Sequence, residues 1–113
     1  MQLIDKPIQV TELKNITIKM FGGLVKAVVD IEKKIMVIDA SMHADEEAFL
    51  LKRGSIQDNL WGINLYPDQA GEDFIEFDSM INVRPHQKNF SRSIEDKTIQ
   101  KQITSRVDSL ILR

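Results

Sequence analysis

The period of apolar and polar positions changes several times along the chain, and each change marks an element. Between Pro7 and Phe21 the apolar residues Val10, Leu13, Ile16 and Met20 recur at helical spacing, and Pro7 suits a first helical turn. This predicts a helix stopped by Gly22-Gly23, since glycine takes the left-handed C-cap conformation at little cost. The β-branched run Ile16-Thr17-Ile18 works against it. From Leu24 to Ala40 the period falls to two: Val25, Ala27, Val29 and Ile31 alternate with Lys26, Val28, Asp30 and Glu32, which predicts a β-hairpin. A turn at Lys33-Lys34 sets Ile31 opposite Met36, Val29 opposite Ile38 and Ala27 opposite Ala40, all on one face. Two lysines suit a tight primed turn poorly.

Ala44 to Arg53 predicts a short helix. Asp45, Glu46 and Glu47 complement the positive end of its dipole, Lys52 and Arg53 its negative end, and Gly54 follows as C-cap. Ala48, Leu51 and Ala44 are the residues expected to face a sheet, with Phe49 or Leu50 beside them. Leu60 to Tyr66 predicts a strand with Trp61, Ile63 and Leu65 on one face and Gly62, Asn64 and Tyr66 on the other. After a turn over Pro67–Gly71, Phe74 to Arg84 predicts a fourth strand, bent near Asp78-Ser79. Ile75, Phe77, Ile81 and Val83 share one of its faces, and Glu76, Asp78, Asn82 and Arg84 the other. Ser93 with Asp96 resembles a capping box for a final helix reaching about Leu112, whose apolar stripe is Ile99, Ile103, Val107, Leu110 and Ile111. The order α-β-β-α-β-β-α predicts an α+β fold: about four mainly antiparallel strands, with three helices on the apolar face, in two layers.

Composition narrows the picture. At 113 residues, 42% hydrophobic and 28% charged, the chain is expected to form a single domain over residues 1–113 with its own core. With no cysteine, disulfides, thiolate metal sites and a thiol nucleophile are excluded. No apolar run approaches the ~20 residues needed to span a membrane. MQLIDKPIQV also lacks the layout of a signal peptide, so the cytoplasm is the expected compartment. A net charge of −2 gives no global attraction to nucleic acid, and binding to it is not expected. G-x-G-x-x-G, P-loop, H-E-x-x-H and G-x-S-x-G motifs are all missing.

Three constellations remain as candidates. His43 with Asp45, Glu46 and Glu47 offers an imidazole and carboxylates at a helix start, able to hold a divalent cation or act as a base with a proton acceptor behind it. The simpler account is a dipole-favoured helix N-terminus with a locally bonded histidine. Arg84, Asn89, Ser91 and Arg92, before the last helix, offer guanidiniums, a hydroxyl and backbone amides to an anion. The simpler account is a polar loop whose arginines pair with Glu76, Asp78 or Glu95. Asn64 could orient a ligand or bond across the sheet to Asp30 or Asn82, beside a Gly62 that weakens a strand unless something approaches closely. Trp61 and Tyr66 are more simply a core anchor and a residue of the sheet's rim.

Three stretches also carry a resemblance: KAVVDIEKKI, then HADEE-x-x-LL-x-x-GS-x-Q-x-x-LWGINLYP, then INVRP-x-x-x-N-x-S-R. Through these the chain resembles, over roughly Val25 to Asp96, a family of small prokaryotic proteins known only as a domain of unknown function. The resemblance implies no activity, substrate or cofactor. In that family the loop after the Arg-Pro often has a glycine before the asparagine, where this chain has Lys88.

The leading expectation is therefore a small cytoplasmic binding module. It would engage an anionic ligand or a protein partner through Asn64, Arg84, Asn89, Ser91 and Arg92. One alternative is a hydrolase-like enzyme using His43 with Asp45 or Glu47, with or without a divalent metal. Another is a structural homo-oligomer, such as a homodimer, without a small-molecule site. The sequence leaves the cofactor undetermined.

Overall fold

The computed structural model describes residues 1–19 and 21–113. Along the chain it contains β1 (Gln2–Ile4), β2 (Ile8–Gln9), α1 (Val10–Thr17), β3 (Val25–Asp30), β4 (Ile35–Ile38), α2 (His43–Lys52), β5 (Leu60–Leu65), β6 (Ile75–Glu76), α3 (Lys97–Leu110) and β7 (Ile111–Leu112). Five strands form one antiparallel sheet in the order β1-β4-β3-β5-β6, and β2 and β7 form a separate parallel pair. The fold is α+β, with three helices and a mainly antiparallel sheet among the described residues. Because β4 and β5 flank β3 on opposite sides, α2 must carry the chain across β3.

Alternation decides what the sheet buries. Val25, Ala27, Val29, Met36, Ile38, Trp61, Ile63 and Leu65 lie on one face and pack with Leu13 of α1 and with Ile103, Val107 and Leu110 of α3. This is the main core, and the stripes read from the sequence supply it. The opposite face is also covered: Val28, Val37 and Leu60 form a second cluster with Leu50 of α2, and Phe49 and Ile81 pack against it. Helices therefore sit on both faces and the layers number three, where the sequence predicts two. The inward stripe of α2 is His43, Glu46 and Leu50, while Ala48 and Leu51 are exposed. A helix whose buried stripe contains two ionisable residues offers little apolar periodicity to read.

The hairpin pairs Ala27 with Ile38, Val28 with Val37, Val29 with Met36 and Asp30 with Ile35. That is two residues from the register a Lys33-Lys34 turn would give, so every side chain keeps its face. The cause is the Asp30 carboxylate. It is almost fully buried, and its Oδ1 accepts from the Glu32 and Lys33 amides at 3.0 and 2.9 Å. Its Oδ2 accepts from the Ser55 hydroxyl at 2.7 Å. A four-residue loop results, closed by Lys34 in the left-handed conformation (φ 59°) with its amide on the Asp30 carbonyl at 3.0 Å.

Other boundaries move for similar reasons. Ile8-Gln9 pairs with Ile111-Leu112, so α1 starts after Pro7 and α3 ends at Leu110. The expected last apolar position of the first helix, Met20, lies outside the described residues. The cap of α3 is Asp96, whose Oδ1 accepts from the Thr98 amide at 2.8 Å, rather than Ser93. The fourth strand shortens to Ile75–Glu76, and single helical turns follow over Met80–Asn82 and Pro85–Gln87.

Candidate functional site

The shortened β6 leaves much of the outer edge of β5 without a strand, and side chains take its place. Asn82 donates to the Gly62 carbonyl at 2.9 Å and accepts from the Gly62 amide at 2.8 Å, as a neighbouring strand would. The segment is pressed close to the sheet: a Cβ on Gly62 would lie 2.6 Å from the Ser79 Cβ. Arg84, 3% exposed, uses all five N–H donors on its own chain. Nε reaches the Ile81 carbonyl, Nη1 the Gln57 carbonyl and the Gln87 side chain, and Nη2 the Leu60 carbonyl and Glu47. Its guanidinium also lies 4.6 Å from the centre of the Trp61 ring. Burial lowers its pKa, and Glu47 and Asp58 oppose that shift.

The loop after Arg84 is equally committed. Asn89 donates to the carbonyls of Asn82, Ser91 and Ser93, and its oxygen accepts from the Glu95 amide. The Glu95 carboxylate takes the Phe90 amide at 2.6 Å, the Ser91 amide at 3.0 Å and the Ser91 hydroxyl at 3.2 Å. The amides expected to meet an external anion thus hold the chain's own carboxylate. Lys88 takes a left-handed conformation, φ 59°, which is the conformation glycine adopts most readily. Arg92, more exposed, donates to Asp78 at 2.7 Å.

The carboxylates near His43 diverge. Glu47 points to Arg84, 3.5 Å away, and Asp45 lines a separate hollow with Asp39 and Lys52. No group of three His, Asp or Glu side chains converges on one point among the described residues. Glu46 is the buried one: Oε2 accepts from the Ala40 amide at 3.1 Å and Oε1 has no partner. His43 turns inward and donates from Nε2 to the Ile63 carbonyl at 2.7 Å, since a carbonyl can only accept. Burial lowers the His43 pKa, the bond to Ile63 opposes this, and Lys26 nearby pushes it down further. At neutral pH the ring is therefore uncharged, with the lone pair on Nδ1.

What the fold does bring together is His43, Asn64 and Arg92, which line one cleft of about 510 Å³ with Lys26, Glu76 and Asp78. Register explains the floor. Lys26 of β3 faces Asn64 of β5, and Asn64 faces Glu76 of β6, a row of three across adjacent strands. Asn64 is 5% exposed, and its Nδ2 donates to Glu76 Oε1 at 2.8 Å and to the Asp78 carbonyl at 3.3 Å. Its Oδ1 is buried with no partner. Tyr66 donates its hydroxyl to the same Glu76 oxygen at 3.0 Å. The wall is the start of α2, where Ser41, Met42, His43 and Ala44 line the cleft. No side chain caps that helix; the Asp45 amide bonds the Met42 carbonyl at 3.2 Å, which leaves the amides of His43 and Ala44 as the ones without an internal acceptor. Lys26 and Glu76 were missed as site residues in the sequence. Their shared strand parity with Asn64 is a signal, but the pairing of β3 with β5 is not written locally.

A larger hollow of about 680 Å³ lies between the Gly71–Phe77 region and α3. Arg113 there is bonded to Asp108 and stacked on Phe74, and the hollow contains no buried polar atom without a partner among the described residues. No curated protein and no solved structure matches the chain. The family model that does match spans residues 2–110, and the chain belongs to that family, described as a protein of unknown function (DUF5674).

Proposed function

We propose that the protein is a small-molecule binding module, with its ligand in the cleft at the start of α2 and an anionic group of that ligand directed at the helix N-terminus and Lys26. The observation that carries this reading is the pairing of an uncapped helix start with a half-buried lysine that has no ion-pair partner among the described residues. Both favour negative charge at one place, through orphan amides and dipole on one side and an ammonium on the other. At α3 the equivalent amide is already taken by the Asp96 side chain, and in the Arg84–Arg92 loop the amides are taken by Glu95. Anion binding therefore moves from the loop foreseen in the sequence to α2, and Asn64 and Arg92 remain in the site.

The hydrolytic reading through His43 with Asp45 or Glu47 has less support, because those side chains diverge. Thermal-shift measurements at constant ionic strength, with carboxylates, phosphate, sulfate and amino acids, test the proposal. At least one anionic compound is expected to raise the melting temperature of the wild type and to leave Lys26→Ala unmoved. Equal shifts in both proteins, or none in either, would count against the cleft.

A further inference from the structure

We infer that the ligand of this cleft is a small zwitterion, a free amino acid or a close analogue, bound with its carboxylate at the α2 N-terminus and Lys26 and its ammonium at Asn64 Oδ1 and Glu76. The inference rests on the cleft reading above and deepens it by specifying the other end of the ligand.

The argument starts from the Asn64 side chain. Its amide orientation is fixed, because Nδ2 faces two acceptors, Glu76 Oε1 and the Asp78 carbonyl. Turning the amide over would set oxygen against oxygen. Oδ1 is then an acceptor, buried and without a donor, and such an atom costs stability until a donor reaches it. An oxyanion alone brings none. A ligand that carries an N–H or O–H as well as its acid is the one that would complete the site.

The charges of the lining point the same way. Arg92 and Asp78 neutralise each other at 2.7 Å. That leaves Lys26 at one end of the cross-strand row and Glu76 at the other, with the Asn64 amide between them. Adjacent strands are about 4.8 Å apart, so the two charges belong to strands about 10 Å apart. The cleft is thus dipolar, positive beside α2 and negative beside β6. A zwitterion with its charges a few bonds apart matches that polarity, and a phosphate or dicarboxylate does not. Glu76 Oε1 already receives Asn64 and Tyr66, which holds the carboxylate in place without neutralising it. A volume of about 510 Å³ lies within the usual range for small-molecule sites.

Calorimetric titration with each of the twenty L-amino acids tests this. For the tightest binder, the matched acid lacking the amino group and the matched α-carboxamide are titrated too, and inorganic phosphate and acetate serve as plain anions. At least one amino acid is expected to bind, and both matched analogues to bind at least tenfold more weakly. Lys26→Gln should weaken the amino acid at least tenfold while barely affecting the carboxamide. Glu76→Gln, at an exposed position where folding is not at risk, should weaken the amino acid and spare the acid lacking the amino group. Asn64→Leu should behave like Glu76→Gln if it folds. Acetate or phosphate binding as tightly as any amino acid, lost in Lys26→Gln and unchanged in Glu76→Gln, would overturn the zwitterion and leave the cleft standing. No binding by any of these compounds would overturn both.

Discussion

Arg84 shows how far a residue's chemical type can mislead about its task. A guanidinium in a polar loop before a helix is a reasonable anion ligand, yet here each N–H is bonded within the chain and the side chain is buried. Arg84→Ala is expected to cost about 3–5 kcal/mol, because it strands Glu47 and three backbone carbonyls in a site with little access to water. Arg84→Lys should recover little of this, since an ammonium cannot reproduce the planar fork. Urea unfolding measures both, and a loss below about 1 kcal/mol for Arg84→Ala would show that the network is dispensable. This role could not be read in advance, because the bonded carbonyls of Gln57 and Leu60 lie 27 and 24 positions upstream. Asn64 was legible in part. An amide on a strand's second face needs a partner, but only the pairing of β5 with β6 makes Glu76 that partner.

At the scale of elements, alternation was the reliable signal. It placed Trp61, Ile63 and Leu65 in the main core and kept each hairpin side chain on its face although the register moved by two. It failed where side chains replace backbone. Past Glu76 the chain no longer pairs as a strand, and Asn82 makes both bonds to Gly62 that a strand would make. That substitution requires Gly62. A methyl group there would meet Ser79 Cβ at 2.6 Å, Ser79 Oγ at 2.7 Å and Ile81 Cγ1 at 3.1 Å, and the contacted segment is held to β5 by Asn82 and Arg84. Gly62→Ala is expected to cost about 1–3 kcal/mol through overpacking, although alanine is the better strand residue on propensity alone. Chemical denaturation of the pair decides it. An unchanged or raised stability would mean that the Ser79–Asn82 segment moves away freely. The edge strand β1 escaped notice for a simpler reason: three residues, Gln2–Ile4, are too few to establish a period.

The whole molecule is organised by α2, which turns a helix-on-sheet arrangement into three layers and sets His43 and Glu46 against the sheet. Burying Glu46 has a consequence for stability that pH exposes. Desolvation raises its pKa from 4.5 to about 9, opposed by the Ala40 amide and Lys26 and reinforced by Asp39. The folded protein therefore keeps a proton that the unfolded chain releases above pH 4.5. Stability is fully present below that pH and declines as the pH rises toward 9, by up to about 1.4 kcal/mol per unit. At neutral pH, about 2.5 units above the unfolded value, the cost is about 3 kcal/mol, a large share of the 5–15 kcal/mol typical of a domain. His43 acts in the opposite sense: burial lowers its pKa, so the unfolded chain takes up a proton first as the pH falls below 6.5, and stability is lost on the acid side. Glu46→Gln should keep the acceptor for the Ala40 amide, raise stability at pH 7 by about 3 kcal/mol and flatten the decline between pH 7 and 9, while the His43 loss below pH 6.5 persists. Urea unfolding from pH 5 to 9 reads all three, and equal slopes for wild type and variant above pH 7 would remove Glu46 as their cause. Glu46 also fixes the connection at Ala40 that leads into the uncapped start of α2. If the cleft binds as proposed, a glutamine that preserves this bond should leave ligand affinity within about twofold, whereas Glu46→Leu, which cannot accept from Ala40, should weaken it. The pair thereby separates the cost of a buried acid from its use in holding the binding wall in place.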